Sequence, residues 1–305
     1  MINIIKNYIV INIMVYILEL KTTQSLAIKI VTDTINSLLT DANFDFFPYY
    51  IDEDDKKSSD TNTQILEDET NDKKKTIGGV ILKEVNKTGK ILVYMRLDAD
   101  KFDVYKYNYH KKKLTLGIDI GNLLKCLKCM SHFDTMTWIV DDEDINKLII
   151  ILESNERKEK KTFKLNLMDI EEETYTIEPI QFPYLITLPS QDFHKYCKDM
   201  ASSNDKIEIK ATSKRLYLSG KGDIGNIEFE VGETNGGLSI ISTTNNTNEI
   251  VQGLFELKFL LIFTKCTNLC NQVTMFIKND YPIIITYQIA ALGEIKLVLS
   301  PTKSD

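Results

Sequence analysis

The stretch LLKCLKCM, residues 123–130, sets Cys126 and Cys129 three apart, beside two lysines at the same spacing, Lys125 and Lys128. Thiolates so spaced on a helix can supply two of the four ligands of a structural zinc site, and a Cys-x-x-Cys pair can also do redox chemistry. Cys266 and Cys270, in KCTNLC, would have to supply the other two ligands. Yet neither pair comes with a His or Cys knuckle at ribbon spacing, and Cys126 falls near the apolar side of its helix. A redox pair belongs at a helix start after a strand, whereas this one lies within the helix. Free thiols used in packing are the expectation, with no metal and no cofactor.

Two further patterns invite a chemical reading. GKGDIG, residues 220–225, matches the dinucleotide fingerprint letter for letter, but it lies between RLYLS and NIEFEV, which both alternate like strands. No helix N-terminus follows to hold a pyrophosphate, so a hairpin is expected. His110, His132 and His194 are scattered, without a nucleophile in an elbow or a carboxylate at ligand spacing. The acidic run DDED, residues 141–144, reads as a solvated turn between strands. These residues form no catalytic constellation, and the chain is expected not to be an enzyme.

The elements that carry these residues are mostly short alternating strands, among them KILVYMRL, KLIIILES, KIEIKAT and PIIITYQIA. Helical period marks four segments, residues 25–39, 121–130, 190–201 and 251–265. LLKCLKCM repeats in kind as FHKYCKDM, residues 193–200. Leu123, Leu127 and Met130 then share a side, as do Phe193, Cys197 and Met200, while Lys125 and Lys128, like Lys195 and Lys198, point the other way. Lys258 and Lys265 share a face of the fourth helix, and Lys29 lies opposite the apolar side of the first. One outward lysine face is routine. Its recurrence on every helix, in a chain of 305 residues with net charge −7, points to a patterned basic surface that attracts phosphates without reading bases.

The balance of 43% hydrophobic and 27% charged residues suits a soluble globular chain, and five cysteines spread along it read as reduced intracellular thiols. The apolar opening is interrupted by Lys6, Asn7 and Asn12 and reads as a strand with an extension, not a membrane span. Residues 51–79 hold nine acidic and five basic residues and little that could be buried. A disordered loop between two strands is expected there.

LLKCLKC, LPSQDFHKYCKDM, FELKFLLIFTK, KLNLMDIEEE and LGEIKLVLSPTK resemble motifs of the proliferating cell nuclear antigen (PCNA) family of DNA sliding clamps. The resemblance covers essentially residues 14–303 apart from the acidic insertion. It implies an α+β DNA clamp fold of two similar domains, each with two helices packed on antiparallel sheets, in a ring-forming trimer. The domains implied are 14–168 and 181–305, joined by a connector at 169–180, with residues 1–13 as an extension. In such a ring Lys29, Lys125, Lys128, Lys195, Lys198, Lys258 and Lys265 would face duplex DNA. Val85, Tyr175, Ile177, Pro282, Val298, Ser300 and Pro301 would frame a pocket for short hydrophobic and aromatic docking peptides. Residues 161–167 would pair with residues 222–231 of a neighbour, through Phe163, Leu165, Gly225 and Ile227.

The function implied is that of a homotrimeric DNA polymerase processivity factor. Its partners would be double-stranded DNA, further copies of itself, a DNA polymerase, a clamp loader and proteins with docking peptides, with no membrane. Two alternatives stay open, a subunit of a heterotrimeric checkpoint clamp and a monomeric polymerase accessory protein. Heavy use of Asn, Ile and Lys suggests an AT-rich genome, such as that of a large DNA virus or protist. The expected location is the nucleus, or a cytoplasmic viral replication site. Departures from the family pattern are Ile30, Asn36 and Asp33 on the first helix and Ile262 on the fourth.

Overall fold

Two runs of elements follow one another in the same order. The computed structural model describes residues 16–51, 76–130, 134–172, 180–222, 225–243 and 249–302. The first run is β1 (Tyr16–Thr22), α1 (Ser25–Asn36), β2 (Asp41–Ile51), β3 (Thr76–Val85), β4 (Ile91–Asp98), β5 (Val104–Tyr107), β6 (Leu114–Asp119), α2 (Ile120–Lys128), β7 (Thr135–Asp141), β8 (Lys147–Ser154) and β9 (Glu159–Asn166). The second is β10 (Tyr184–Pro189), α3 (Ser190–Ala201), β11 (Lys206–Ala211), β12 (Arg215–Gly222), β13 (Gly225–Gly232), β14 (Ser239–Ser242), β15 (Val251–Glu256), α4 (Leu257–Phe263), β16 (Gln272–Ile277), β17 (Ile283–Ile289) and β18 (Gly293–Leu299). The expected residue 1–13 extension lies outside the described residues.

The sheets repeat as the elements do. One sheet has the order β5-β1-β7-β8-β9, another β13-β12-β11-β15, and the largest β14-β10-β16-β17-β18-β4-β3-β2-β6. The large sheet thus joins a second copy of the first order to a second copy of the other, and β18 against β4 is the seam. Alternation explains the strands: β4 buries every second residue, Ile91, Val93, Met95 and Leu97, under the helices. Each helix covers its sheet with one apolar side. Leu123 and Leu127 of α2 are wholly buried, and cutting either back to alanine would cost about 2–5 kcal/mol. The Asp119 carboxylate caps α2 by accepting from the Asn122 backbone N–H at 2.7 Å.

Three sequence expectations need correction. Residues 251–265 are not one helix: Val251–Glu256 is strand β15, α4 is only Leu257–Phe263, and a 3-10 turn spans Thr264–Asn268. Val251 and Phe255 are buried because they alternate against β11, where Ile207 faces Phe255, and this pairing overrides the local helical spacing. α1 stops at Asn36 instead of residue 39. The segment expected to be a loop at 51–79 is strand at both ends, since Ile51 pairs with Thr76 and β3 continues through Gly79. Gly79 sits at φ 130, and a β-carbon there would lie 2.0 Å from the Leu97 carbonyl oxygen, so the glycine serves sheet packing.

GKGDIG forms the β12–β13 connection, with Gly222 opposite Gly225. A β-carbon at Gly222 would lie 1.9 Å from the Ser203 carbonyl oxygen, a packing reason for glycine that involves no phosphate. Among the described residues, no helix is long and apolar enough to cross a membrane.

Candidate nucleic-acid interface

The helices form a continuous band in the order α2, α1, then α4 with its 3-10 turn, then α3. Side chains stitch the band: the Thr264 hydroxyl lies 2.9 Å from His194 Nδ1, and the Cys266 thiol meets the Thr34 hydroxyl at 3.4 Å. Lys125 and Lys128 of α2, Lys195 and Lys198 of α3, Lys258 of α4 and Lys265 of the turn are all exposed, while Lys29 of α1 is half-buried. Beneath the α3 pair, Phe193, Cys197 and Met200 are wholly buried.

The lysines are not equivalent. Lys265 Nζ lies 3.0 Å from Asp33 Oδ2 and donates to the Ser37 hydroxyl at 2.8 Å, linking residues far apart in sequence. Lys258 pairs with Glu256 at 2.7 Å, and Lys258 with Lys90 holds the Glu256 carboxyl below its ordinary pKa. Lys125 donates to Asn122 Oδ1 at 3.0 Å. Among the described residues, Lys128, Lys195 and Lys198 have no carboxylate at ion-pair distance. The freest positive charge therefore sits at the two ends of the helical band, on α2 and α3.

The cysteines differ in their surroundings. Cys126 is half-buried and Cys129 exposed, while Cys197 and Cys266 are buried, and burial pushes both of those thiols up to about 12. Among the described residues there is no group of three or more His, Cys, Asp or Glu able to hold a metal ion.

The four candidate contact residues fall on two sheet edges. Phe163, half-buried, and Leu165, 9% exposed, belong to β9, the outermost strand of the first sheet. Gly225, exposed, and Ile227, half-buried, belong to β13, outermost in the four-stranded sheet. Tyr196 of α3 packs on Phe229 of β13 at 5.2 Å between ring centroids. At the β18–β4 seam, the residues in the same positions are hidden: Ile91, Val93 and Leu297 are 0% exposed and Leu299 is 1% exposed.

Two of the candidate pocket residues, Val85 and Val298, fall on the sheet face away from the helices. Val85 faces Leu92, Leu92 faces Val298, and Val298 faces Ile284, so four half-buried apolar residues form one row across four strands. Pro282 and Ser300 are half-buried and Pro301 is exposed nearby in the chain, while Tyr175 and Ile177 lie outside the described residues. Sequence reasoning missed Leu92 and Ile284. The signal was a break in parity, with apolar residues where alternation calls for polar ones.

Comparison with known proteins gives two family matches. The model described as Proliferating cell nuclear antigen, N-terminal domain, matches residues 56–175, and that described as Proliferating cell nuclear antigen, C-terminal domain, matches residues 176–302. A probable DNA polymerase sliding clamp of Acanthamoeba polyphaga mimivirus is 27% identical over 297 residues, covering 93% of this chain. The chain spans 62% of the length of that relative.

Proposed function

The chain belongs to the proliferating cell nuclear antigen family, and from that premise we propose that it is a DNA polymerase sliding clamp whose copies close, three together, around duplex DNA. One observation carries this reading: the β18–β4 seam inside the chain is a template for a seam between copies. β9 holds the place in its repeat that β18 holds in the other, and β13 the place of β4. Carrying the β18–β4 register over sets Phe163 against Ile227 of a neighbouring copy, and Leu165 against Gly225. Both edges carry main-chain groups that a neighbour would satisfy and half-exposed apolar residues that it would cover. Because the two edges differ, the contact is head-to-tail and can close a ring.

In such a ring the helical bands line the hole. Lysine contacts with phosphate are weak and blind to sequence, so they permit sliding, and retention comes from the topological link. The reading requires no catalytic step. The apolar row from Val85 to Ile284, with Pro282, Val298, Ser300 and Pro301, suits a docking peptide with aromatic and aliphatic anchors on one helical turn. Such a site would recruit a polymerase, a loader or other enzymes.

The mass of the purified chain in solution tests this reading, and three copies are expected. A Val298→Asp variant is expected to keep that mass and to lose binding of a fluorescent peptide bearing such anchors by about tenfold or more, because it places a carboxylate in the row. A wild-type chain that remains single at all concentrations would refute the ring. Undiminished peptide binding by the variant would refute the pocket.

A further inference from the structure

We infer that the phosphate-binding charge of the proposed ring is concentrated at the seams between copies, where lysines of two chains complete one site, and that duplex DNA seated there tightens the seam. The inference rests on the ring reading above.

Inside the chain, the corresponding place is only weakly basic, with half-buried Lys29 of α1 left beside a cancelled pair. α1 meets the Thr264–Asn268 turn, where Asp33 and Lys265 pair at 3.0 Å, with Ile30 on α1 and Ile262 at the end of α4, just before the turn. The internal repeat carries each position to a counterpart. α1 and α3 both start on a wholly buried serine, Ser25 and Ser190, and buried Ile28, Thr32 and Ile35 match buried Phe193, Cys197 and Met200. Asp33 therefore corresponds to Lys198, and Ile30 to Lys195. α2 and α4 start on buried Ile120 and Leu257, with Leu123 matching Leu260, so Lys265 corresponds to Lys128 and Ile262 to Lys125.

Where one chain sets a lysine against an aspartate, two neighbouring copies thus set Lys128 against Lys198, with Lys125 and Lys195 replacing two isoleucines. Two nearby groups leave most of this charge in place. Asp199, exposed on α3, takes the position of Thr34, whose hydroxyl meets the Cys266 thiol, and its one carboxylate offsets a single charge of the four lysines. Lys161 is balanced by Glu159 at 3.3 Å and donates to the Cys129 carbonyl. The lumen would then alternate between strongly and weakly basic seams.

Facing ammonium groups repel, more strongly at low salt. A phosphate strand that bridges them turns this repulsion into attraction, and it does so only where two copies meet. By linkage, anything that binds the assembled seam better than the separated chains stabilises the seam. The site therefore makes closure and DNA occupancy mutually reinforcing.

The test is a dilution series of the full chain, followed by solution mass at low and physiological salt, with and without a short blunt-ended DNA duplex. Lys198→Asp recreates across the seam the pair that Asp33 makes with Lys265, and Lys278→Asp controls for net charge. The wild-type assembly is expected to tighten on adding duplex, and without DNA to tighten as salt rises from low values. Without DNA at low salt, Lys198→Asp is expected to hold together at about five- to tenfold greater dilution, to lose most of the duplex effect, and Lys278→Asp to behave as wild type. A ring whose stability ignores both the duplex and Lys198→Asp would overturn the seam site alone. A wild-type chain that never assembles would overturn the ring and the seam site together.

Discussion

Replacing Phe163 with glutamate is expected to leave each chain folded and to reduce the assembly to single copies. Phe163 is only half-buried within the chain, on an edge strand opposite Ile150, so a carboxylate there can stay in water until a neighbour arrives. In the proposed seam the same carboxylate would be covered beside Ile227 of the neighbour, while Lys161 on that face of β9 is already held by Glu159 and the Cys129 carbonyl. Burying an unpaired carboxylate costs several kcal/mol, which weakens each seam by about a hundredfold or more. The contrast with Leu297, the counterpart of Phe163 in β18, separates assembly from folding. Leu297 is 0% exposed at the internal seam, so Leu297→Glu is expected to unfold the chain. Solution mass and thermal melting read both outcomes, and a Phe163→Glu variant that keeps the wild-type mass would show that β9 is not the contact edge.

Reversing Lys125 and Lys128 to glutamate is expected to reduce loading onto circular duplex by about tenfold or more at low salt, without loss of assembly or melting temperature. Both side chains are exposed on α2, opposite the buried Leu123 and Leu127, so the reversal does not disturb the core. The charge change is repeated in every copy, and each lost phosphate contact also flattens the salt dependence. A Cys126→Ala, Cys129→Ser variant is the matched control. Cys129 is exposed and Cys126 half-buried, so this variant is expected to load like wild type. If instead the thiols proved essential and the lysines dispensable, the helix would serve a different chemistry from the one its charge suggests.

Local patterns in the chain make much of this legible. Helical spacing places Lys125, Lys128, Lys195 and Lys198 opposite apolar sides, because on a helix lining a sheet the buried stripe fixes where everything else points. Pairings made over long separations are not legible. Nothing local says that Asp33 meets Lys265, or that β15 is held as strand by β11, since tertiary partners decide both. β2, β6 and β7 also escape, and β7 shows why: six of its seven residues are buried, so no alternation marks it. The outer row through Leu92 and Ile284 needs the register, because only cross-strand pairing brings residues of four separate strands into one line.

Cutting a loaded circle tests encirclement most directly. The protein is threaded onto linear duplex, which is then ligated into a closed circle and challenged with high salt, and the DNA is then cut once. Salt-resistant retention on the closed circle, lost promptly through the free ends after cutting, is the expected result. Equal loss from circular and linear DNA as salt rises would mean that charge alone holds the protein, on an open surface and not through a hole.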